Sequence, residues 1–293
     1  MQYNLWFGPI TAYPAAWLLL LSSCISVMWL TYVYRRRHLH STGLTVVFSA
    51  FAVCAAIWAL TNAYFHSQLL TRHIGPAVFM ALLANLVSGF DAALLYYLSC
   101  LLVIKENRPF KQIKVWRLKP FPRTMLFTVC AGSLLLNGIP GLVVTEVRLT
   151  PSDFTLVYGP LAWLYYLLAV APAVPMVWNL IKAMRIDLKS SRIFVAKYFL
   201  TAGLLVYVAA MFTNVIGPLF FSHFNLTWFP PSIHCISVAL VGYAIACERW
   251  LDELRPFMMR ALQLLLYAVI MFLILIALQV IWQDIMGRPF GLE

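Results

Sequence analysis

Residues 76–104 read Pro76-Ala-Val-Phe-Met-Ala-Leu-Leu-Ala-Asn85-Leu-Val-Ser88-Gly-Phe-Asp91-Ala-Ala-Leu-Leu-Tyr96-Tyr-Leu-Ser-Cys100-Leu-Leu-Val-Ile104. Asp91 is the single formal charge in the block, and the rest is mostly apolar. A helix crossing about 30 Å of hydrocarbon needs roughly 20 such residues, because backbone in lipid must satisfy its own hydrogen bonds. This block is long enough to tilt or to protrude. Working outward, similar blocks occupy 14–34, 44–64, 124–142, 157–181, 195–219, 230–247 and 261–283. The whole chain is 63% hydrophobic and 11% charged, with a mean hydropathy of +0.85. Soluble domains run roughly 45–50% apolar and about 25% charged, so a water-soluble globular protein is excluded. The expected fold is all-α, a polytopic transmembrane helix bundle of about eight spans.

The net charge of +11 could suggest nucleic acid as partner. The basic residues, however, sit in the loops between apolar blocks, and no nucleic-acid partner is expected. Arg35, Arg36 and Arg37 follow span one; Lys105, Arg108, Lys111, Lys114, Arg117, Lys119 and Arg123 follow span three. Lys182, Arg185, Lys189, Arg192 and Lys197 follow span five, and Arg249, Arg255 and Arg260 follow span seven. Only Arg72, Arg148 and Arg288 fall on the opposite side. Lys and Arg in short loops mark the cytoplasmic side, so the N-terminus is expected outside, and with eight spans the C-terminus too. The first block lacks a basic n-region and is read as a span rather than a cleaved signal.

Cys24, Cys54, Cys100, Cys130, Cys235 and Cys247 fall within or at the ends of spans with no CxxC pair. They read as small buried hydrophobes rather than as disulfides or zinc ligands. The stretch Lys111-Gln-Ile-Lys114-Val-Trp116-Arg117-Leu-Lys119 reads as an ordinary positive-inside loop, with attraction to anionic lipid as the competing reading.

Asp91 is expected deep in span three, where a charge is expensive and usually functional. Asn85 and Ser88 precede it at three-residue steps and form a drifting polar stripe. No ionisable partner is expected at matching depth, since the other carboxylates lie in loops or at span ends. The plainer reading is a protonated or Asn-paired Asp91 holding helices together.

The ends facing outside carry Asn62, Tyr64 and His66 after span two, and Asn137 at the end of span four. Tyr158, Trp163, Tyr165 and Tyr166 open span five, Thr213 and Asn214 close span six, and Thr227, Trp228 and His234 surround the start of span seven. Aromatic faces mixed with neutral donors and acceptors suit a small, uncharged, partly apolar ligand. The competing reading is the aromatic belt of any bundle. Pro231 is a natural first helical residue, which presents free N–H groups toward the outside. No HExxH, GxSxG, P-loop or paired intramembrane aspartates occur. The six histidines lack metal-ligand spacing, so neither catalysis, metal nor cofactor is expected within the chain.

Several strings carry more than composition: Ile57-Trp58-Ala-Leu-Thr-Asn62-Ala-Tyr64-Phe65-His66, Ala84-Asn85-Leu86, Tyr96-Tyr97-Leu-Ser99-Cys100, Phe224-Asn-Leu226-Thr227-Trp228-Phe-Pro230-Pro231 and Val241-Gly242-Tyr243-Ala244. In order and spacing they resemble the membrane sensor region of LuxN-type hybrid histidine kinases, bacterial quorum-sensing receptors for N-acyl-homoserine lactones. The resemblance runs from span one through span seven and more loosely through span eight. It implies a seven-helix ligand-sensing domain over 1–250, followed by an amphipathic connector and eighth span over 251–293. It further implies a bacterial inner-membrane location, a periplasmic N-terminus and a homodimer formed through the C-terminal helices. The phospho-accepting histidine and ATP-binding boxes of the family's kinase core do not occur in these residues. The expectation is therefore a fragment ending one span short of the kinase, or a stand-alone sensor. Asp91 stands where the family is expected to carry an apolar residue, a departure that bears on ligand identity.

The implied ligand is a neutral amphiphilic autoinducer, with its acyl chain between helices four to seven. Its lactone and amide would meet Trp228, Asn214, Tyr158, Trp163 and His234 near the outer surface, with Tyr166, Asn137, Thr227 and Asn85 completing the site. Ser88 and Asp91 form the interior polar positions. The alternative is a small-solute or proton-coupled transporter using Asp91; a bundle serving only as anchor is the third reading.

Overall fold

The structure is a computed structural model that describes residues 12–36, 42–102, 120–149, 154–185, 191–213 and 226–246. The 76–104 block becomes α4 (Ala77–Leu102), with Pro76 just before its first residue, where a missing N–H leaves no bond unmade. Before it come α1 (Pro14–Arg35), α2 (Thr42–Phe65) and the short α3 (Gln68–Arg72). After it come α5 (Pro120–Gly138), the strands β1 (Val144–Leu149) and β2 (Phe154–Tyr158), α6 (Ala162–Val170), α7 (Ala173–Arg185), α8 (Ser191–Met211) and α9 (Phe229–Ala246). The expected eighth span, 261–283, and the 251–293 segment lie outside the described residues.

The molecule is a multi-pass membrane protein. Among the described residues, four segments are long and apolar enough to cross a bilayer: Pro14–Arg35, Gly43–Phe65, Ala77–Leu101 and Ala162–Lys182. Thr201–Met211 and Phe229–Tyr243 are shorter apolar helices. The expected span 157–181 is built differently from a continuous helix. Its first two residues, Val157 and Tyr158, belong to β2, and the remainder breaks into α6 and α7 at Ala171 and Pro172. Pro172 has no N–H to donate to the ladder, which accounts for the break.

A hairpin also replaces the purely helical fold expected from the sequence. β1 and β2 pair antiparallel, with Val147 opposite Leu156 and Leu149 opposite Phe154, and an irregularity between Val144 and Glu146. Val144-Thr-Glu-Val-Arg-Leu149 is rich in β-branched residues and too short in apolar length to span. Two glycines close its base. Gly141 adopts φ +84°, and a Cβ on Gly159 would stand 2.2 Å from the Gly141 carbonyl oxygen.

α4 is the hub of the bundle, touching α2, α5, α6, α7, α8 and β1. α1 packs on α2 and α9, and α9 packs on α8. The main core joins Phe48 and Phe51 of α2, Leu95, Leu98 and Leu101 of α4, and Val238, Val241 and Ile245 of α9. A second cluster sits under the hairpin, with Tyr64, Phe65, Ala81, Leu136, Val143, Phe154 and Tyr165. Small residues let the helices approach closely: a Cβ on Gly89 of α4 would meet Ser133 Oγ of α5 at 2.2 Å. α4 thus carries its polar stripe into the middle of the bundle.

Candidate functional site

Asn85, Ser88 and Asp91 turn through about 300° per three-residue step, so the stripe drifts but stays on one side of α4. All three line a cavity of about 120 Å³, several times what a water needs. α2 supplies Trp58, Asn62 and Phe65 to its wall, and β2 supplies Phe154, Leu156 and Tyr158. Tyr165, Tyr166 and Val170 come from α6, Val206, Tyr207 and Met211 from α8, Thr227 from the segment before α9, and His234 from α9 itself.

The aromatic wall is ordered by ring contacts. Tyr166 meets Tyr158 edge-on at 5.9 Å and Tyr165 at 5.3 Å, while Phe65 stacks on Phe154 at 4.9 Å. The buried Tyr165 hydroxyl lies 2.6 Å from the Asn85 carbonyl oxygen and 2.8 Å from Ser88 Oγ, which itself donates to the same carbonyl. Those bonds tie α6 to α4 along the cavity wall. Asn62 turns away from the cavity's polar groups and donates to the Trp58 carbonyl at 2.9 Å.

The deep end is ionisable. His234 Nε2 lies 2.8 Å from Asp91 Oδ2, with both side chains almost fully buried. Phe51 and Trp58 face the imidazole edge-on, at 5.3 and 5.8 Å. The expectation that Asp91 has no ionisable partner at its depth is therefore corrected. The reason is where α9 begins. Ser22, eight residues into α1, donates from its hydroxyl to the Pro231 carbonyl at 2.7 Å, which places the opening of α9 roughly 12 Å in from the start of α1. His234 then lies deeper than its place in the sequence suggested.

Buried polar atoms usually find partners. Among the described residues, Asn85 Nδ2, Asp91 Oδ1, Tyr207 Oη and His234 Nδ1 have none, and all four residues line the cavity. The arrangement can therefore offer hydrogen-bond donors and an acceptor to a bound molecule.

At the hairpin end His66 Nε2 lies 2.9 Å from Thr227 Oγ1, and the ring meets Phe154 at 5.7 Å. Burial pulls the His66 pKa down to about 4, so this histidine is neutral at pH 7.

Of the residues expected at the site, Asn85, Ser88, Asp91, Tyr158, Tyr166, Thr227 and His234 line the cavity. Trp163 does not: its side chain is 64% exposed on the outer surface of α6. Trp228 packs against Leu19, Ala59 and Ala63 beside the cavity. Asn137 is buried on α5, donating to the Ser133 carbonyl at 2.9 Å. Asn214 lies outside the described residues. Sequence reasoning passed over Trp58, Phe154, Leu156 and Tyr207 as wall residues. The β-branched alternation of 144–149 was the signal for the strands; Tyr207 had none beyond its place on α8. Among the described residues no group of three or more His, Cys, Asp or Glu could hold a metal.

No protein-family model matches the chain. It is 32% identical over 246 residues to the autoinducer 1 sensor kinase/phosphatase LuxN of Vibrio campbellii, and equally to that of Vibrio harveyi. The matched stretch is 81% of this chain, and the chain spans about 28% of the length of these curated relatives. With identity running through four-fifths of a multi-pass bundle, the chain is related to the membrane sensor region of LuxN-type autoinducer kinases.

Proposed function

We propose that this chain is the receptor module of a bacterial quorum-sensing kinase, and that its cavity takes a neutral amphiphilic autoinducer, an N-acyl-homoserine lactone. The observation that carries the reading is a cavity with aromatic walls and unpartnered polar atoms, in a chain related to autoinducer sensors. A ligand that satisfies those atoms binds one bundle arrangement better than another and shifts the population between them. A tenfold bias requires about 1.4 kcal/mol of differential affinity, within reach of one or two buried hydrogen bonds. In this reading the hairpin end faces the periplasm, the basic loops face the cytoplasm, and the protein sits in the inner membrane. Residues 1–250 form the sensing unit, and signals leave through 251–293, where two copies pair.

Titration of the chain in lipid nanodiscs with N-octanoyl-homoserine lactone tests this. Saturable binding is expected, weakened at least about tenfold by Tyr166→Ala, which opens the aromatic wall, and unchanged by Trp163→Ala on the outer surface. Binding no stronger than to empty nanodiscs would remove the lactone reading.

A second reading is favoured by one observation, the Asp91–His234 pair: two ionisable groups in contact within a bundle are a proton-relay element. It predicts pH-driven solute flux in proteoliposomes that Asp91→Asn abolishes. Sensing predicts none.

A further inference from the structure

We propose that the ligand lies polar end inward, its head on Asp91, Asn85 and Tyr207 at the deep end of the cavity and its apolar tail pointing back to the hairpin. This rests on the reading of the cavity as an amphiphile site and reverses the orientation that an outer aromatic rim suggests.

The cavity is polarised along its depth. From Ala81 to Asp91 its α4 wall descends ten residues, about 15 Å, and Ala92 and Leu95 close it about one turn further in. At the hairpin end Phe65 stacks on Phe154 with Leu156 beside them, and the polar Asn62 and Thr227 there are already bonded to the Trp58 carbonyl and to His66. The unpartnered atoms of Asn85, Asp91 and Tyr207 come below that level. An ordinary membrane amphiphile keeps its head at the water surface and its tail inside; this cavity offers the reverse. Hydrocarbon against Phe65 and Phe154 loses nothing, whereas leaving buried polar atoms unpaired costs about 1–3 kcal/mol each.

The atoms also define the head. Asp91 Oδ1 can only accept if the carboxyl is ionised, and Asn85 Nδ2 and the Tyr207 hydroxyl donate. A head that carries at least one N–H or O–H donor beside one or more carbonyl acceptors therefore matches these atoms. His234 already stands 2.8 Å from the other Asp91 oxygen, which leaves Oδ1 as the oxygen a donor on the head can reach. A free fatty acid would set one carboxylate against another. A secondary amide next to a lactone carbonyl fits; an amide without its N–H does not.

Two probes test the orientation in the native chain in nanodiscs. The first is N-octanoyl-homoserine lactone with a diazirine at the tail terminus, photolysed and mapped by peptide mass spectrometry. Labels are expected at Phe65 or within Phe154–Tyr158; labels on Ala92, Leu95 or Val206 would overturn the proposal while leaving lactone binding intact. The second is the N-methyl amide analogue, expected to bind about tenfold more weakly to the native chain than the parent lactone. Asp91→Ala should shrink that discrimination to within about twofold, and Tyr207→Phe, which keeps the ring, should weaken the parent lactone about threefold or more. Undiminished discrimination in Asp91→Ala refutes the assignment of the head to Asp91. Absence of any saturable lactone binding overturns the functional reading and this inference together.

Discussion

Two polar clusters among the described residues of the bundle are finished differently. On α7, Asn179 Nδ2 lies 3.1 Å from Ser99 Oγ and 3.3 Å from Cys100 Sγ of α4, and Ser99 Oγ donates to the Tyr96 carbonyl at 2.6 Å. None of that cluster's atoms is among the fully buried atoms without a partner in the described residues. Two turns away on the same helix, Asn85 and Asp91 open onto a cavity with atoms unpaired. The first cluster behaves as glue between helices. The second has the form of a site, because several hydrogen-bonding atoms without a protein partner converge on one cavity.

The largest break in that contrast is expected at the Asp91–His234 contact. His234→Leu leaves the Asp91 carboxyl without the imidazole, and a buried polar group left unpaired costs about 1–3 kcal/mol. Thermal unfolding in detergent should fall sharply, and the double change Asp91→Leu with His234→Leu should recover most of it. A native-like melting curve for His234→Leu would show that the pair is not an energetic unit.

Tyr165→Phe comes next. It strips the hydroxyl that meets the Asn85 carbonyl and Ser88, a loss of about 1–2 kcal/mol. Both stability and lactone affinity should drop, since this tyrosine is cavity wall and helix tie at once. Asn179→Leu, in the finished cluster, should cost stability only, about 0.6 kcal/mol as for other interhelical hydrogen bonds in membranes. A change in affinity there would blur the distinction between the clusters.

The smallest effect is expected at the cavity mouth. The His66 pKa falls from its ordinary 6.5 to about 4. Because the unfolded chain takes up the proton first, neutral His66 supports the mouth above pH 6.5, and that support is lost as pH falls toward 4. The group is only half-buried beside water, so the loss is muted. Tryptophan fluorescence from Trp228, next to Thr227, should report a transition in that range, and His66→Gln should flatten it.

The spans at 14–34, 44–64 and 76–104 were legible because nearly every residue in them agrees with a single environment, and α1, α2 and α4 follow those bounds within a few residues. The polar stripe on α4 was legible too, since Asn85, Ser88 and Asp91 contrast with everything around them. The hairpin was hidden because Val157 and Tyr158 are as apolar as the helix after them, and hydropathy does not distinguish a strand from a span end. His234 was hidden for another reason. Depth was counted from the ends of apolar blocks, whereas α9 starts well below the end of α1, at the level of Ser22. Pairings across 143 residues of sequence, such as Asp91 with His234, follow from where helices begin, which composition does not encode. Trp163 shows the opposite error: an aromatic at the right height but on the wrong side of its helix.

The interruption at Ala171 and Pro172 gives one crossing two rigid halves and a pivot. Tyr165 and Tyr166 ride on one arm, roughly 10 Å from the pivot, and Asn179 anchors the other arm to α4 at a similar distance. Rocking the first arm bends the chain where a rung of the ladder is already missing, so it breaks no further backbone bonds. Tyr165 holds the first arm to α4 at Asn85 and Ser88, and Asn179 holds the second at Ser99, so the crossing is fastened on both sides of its break.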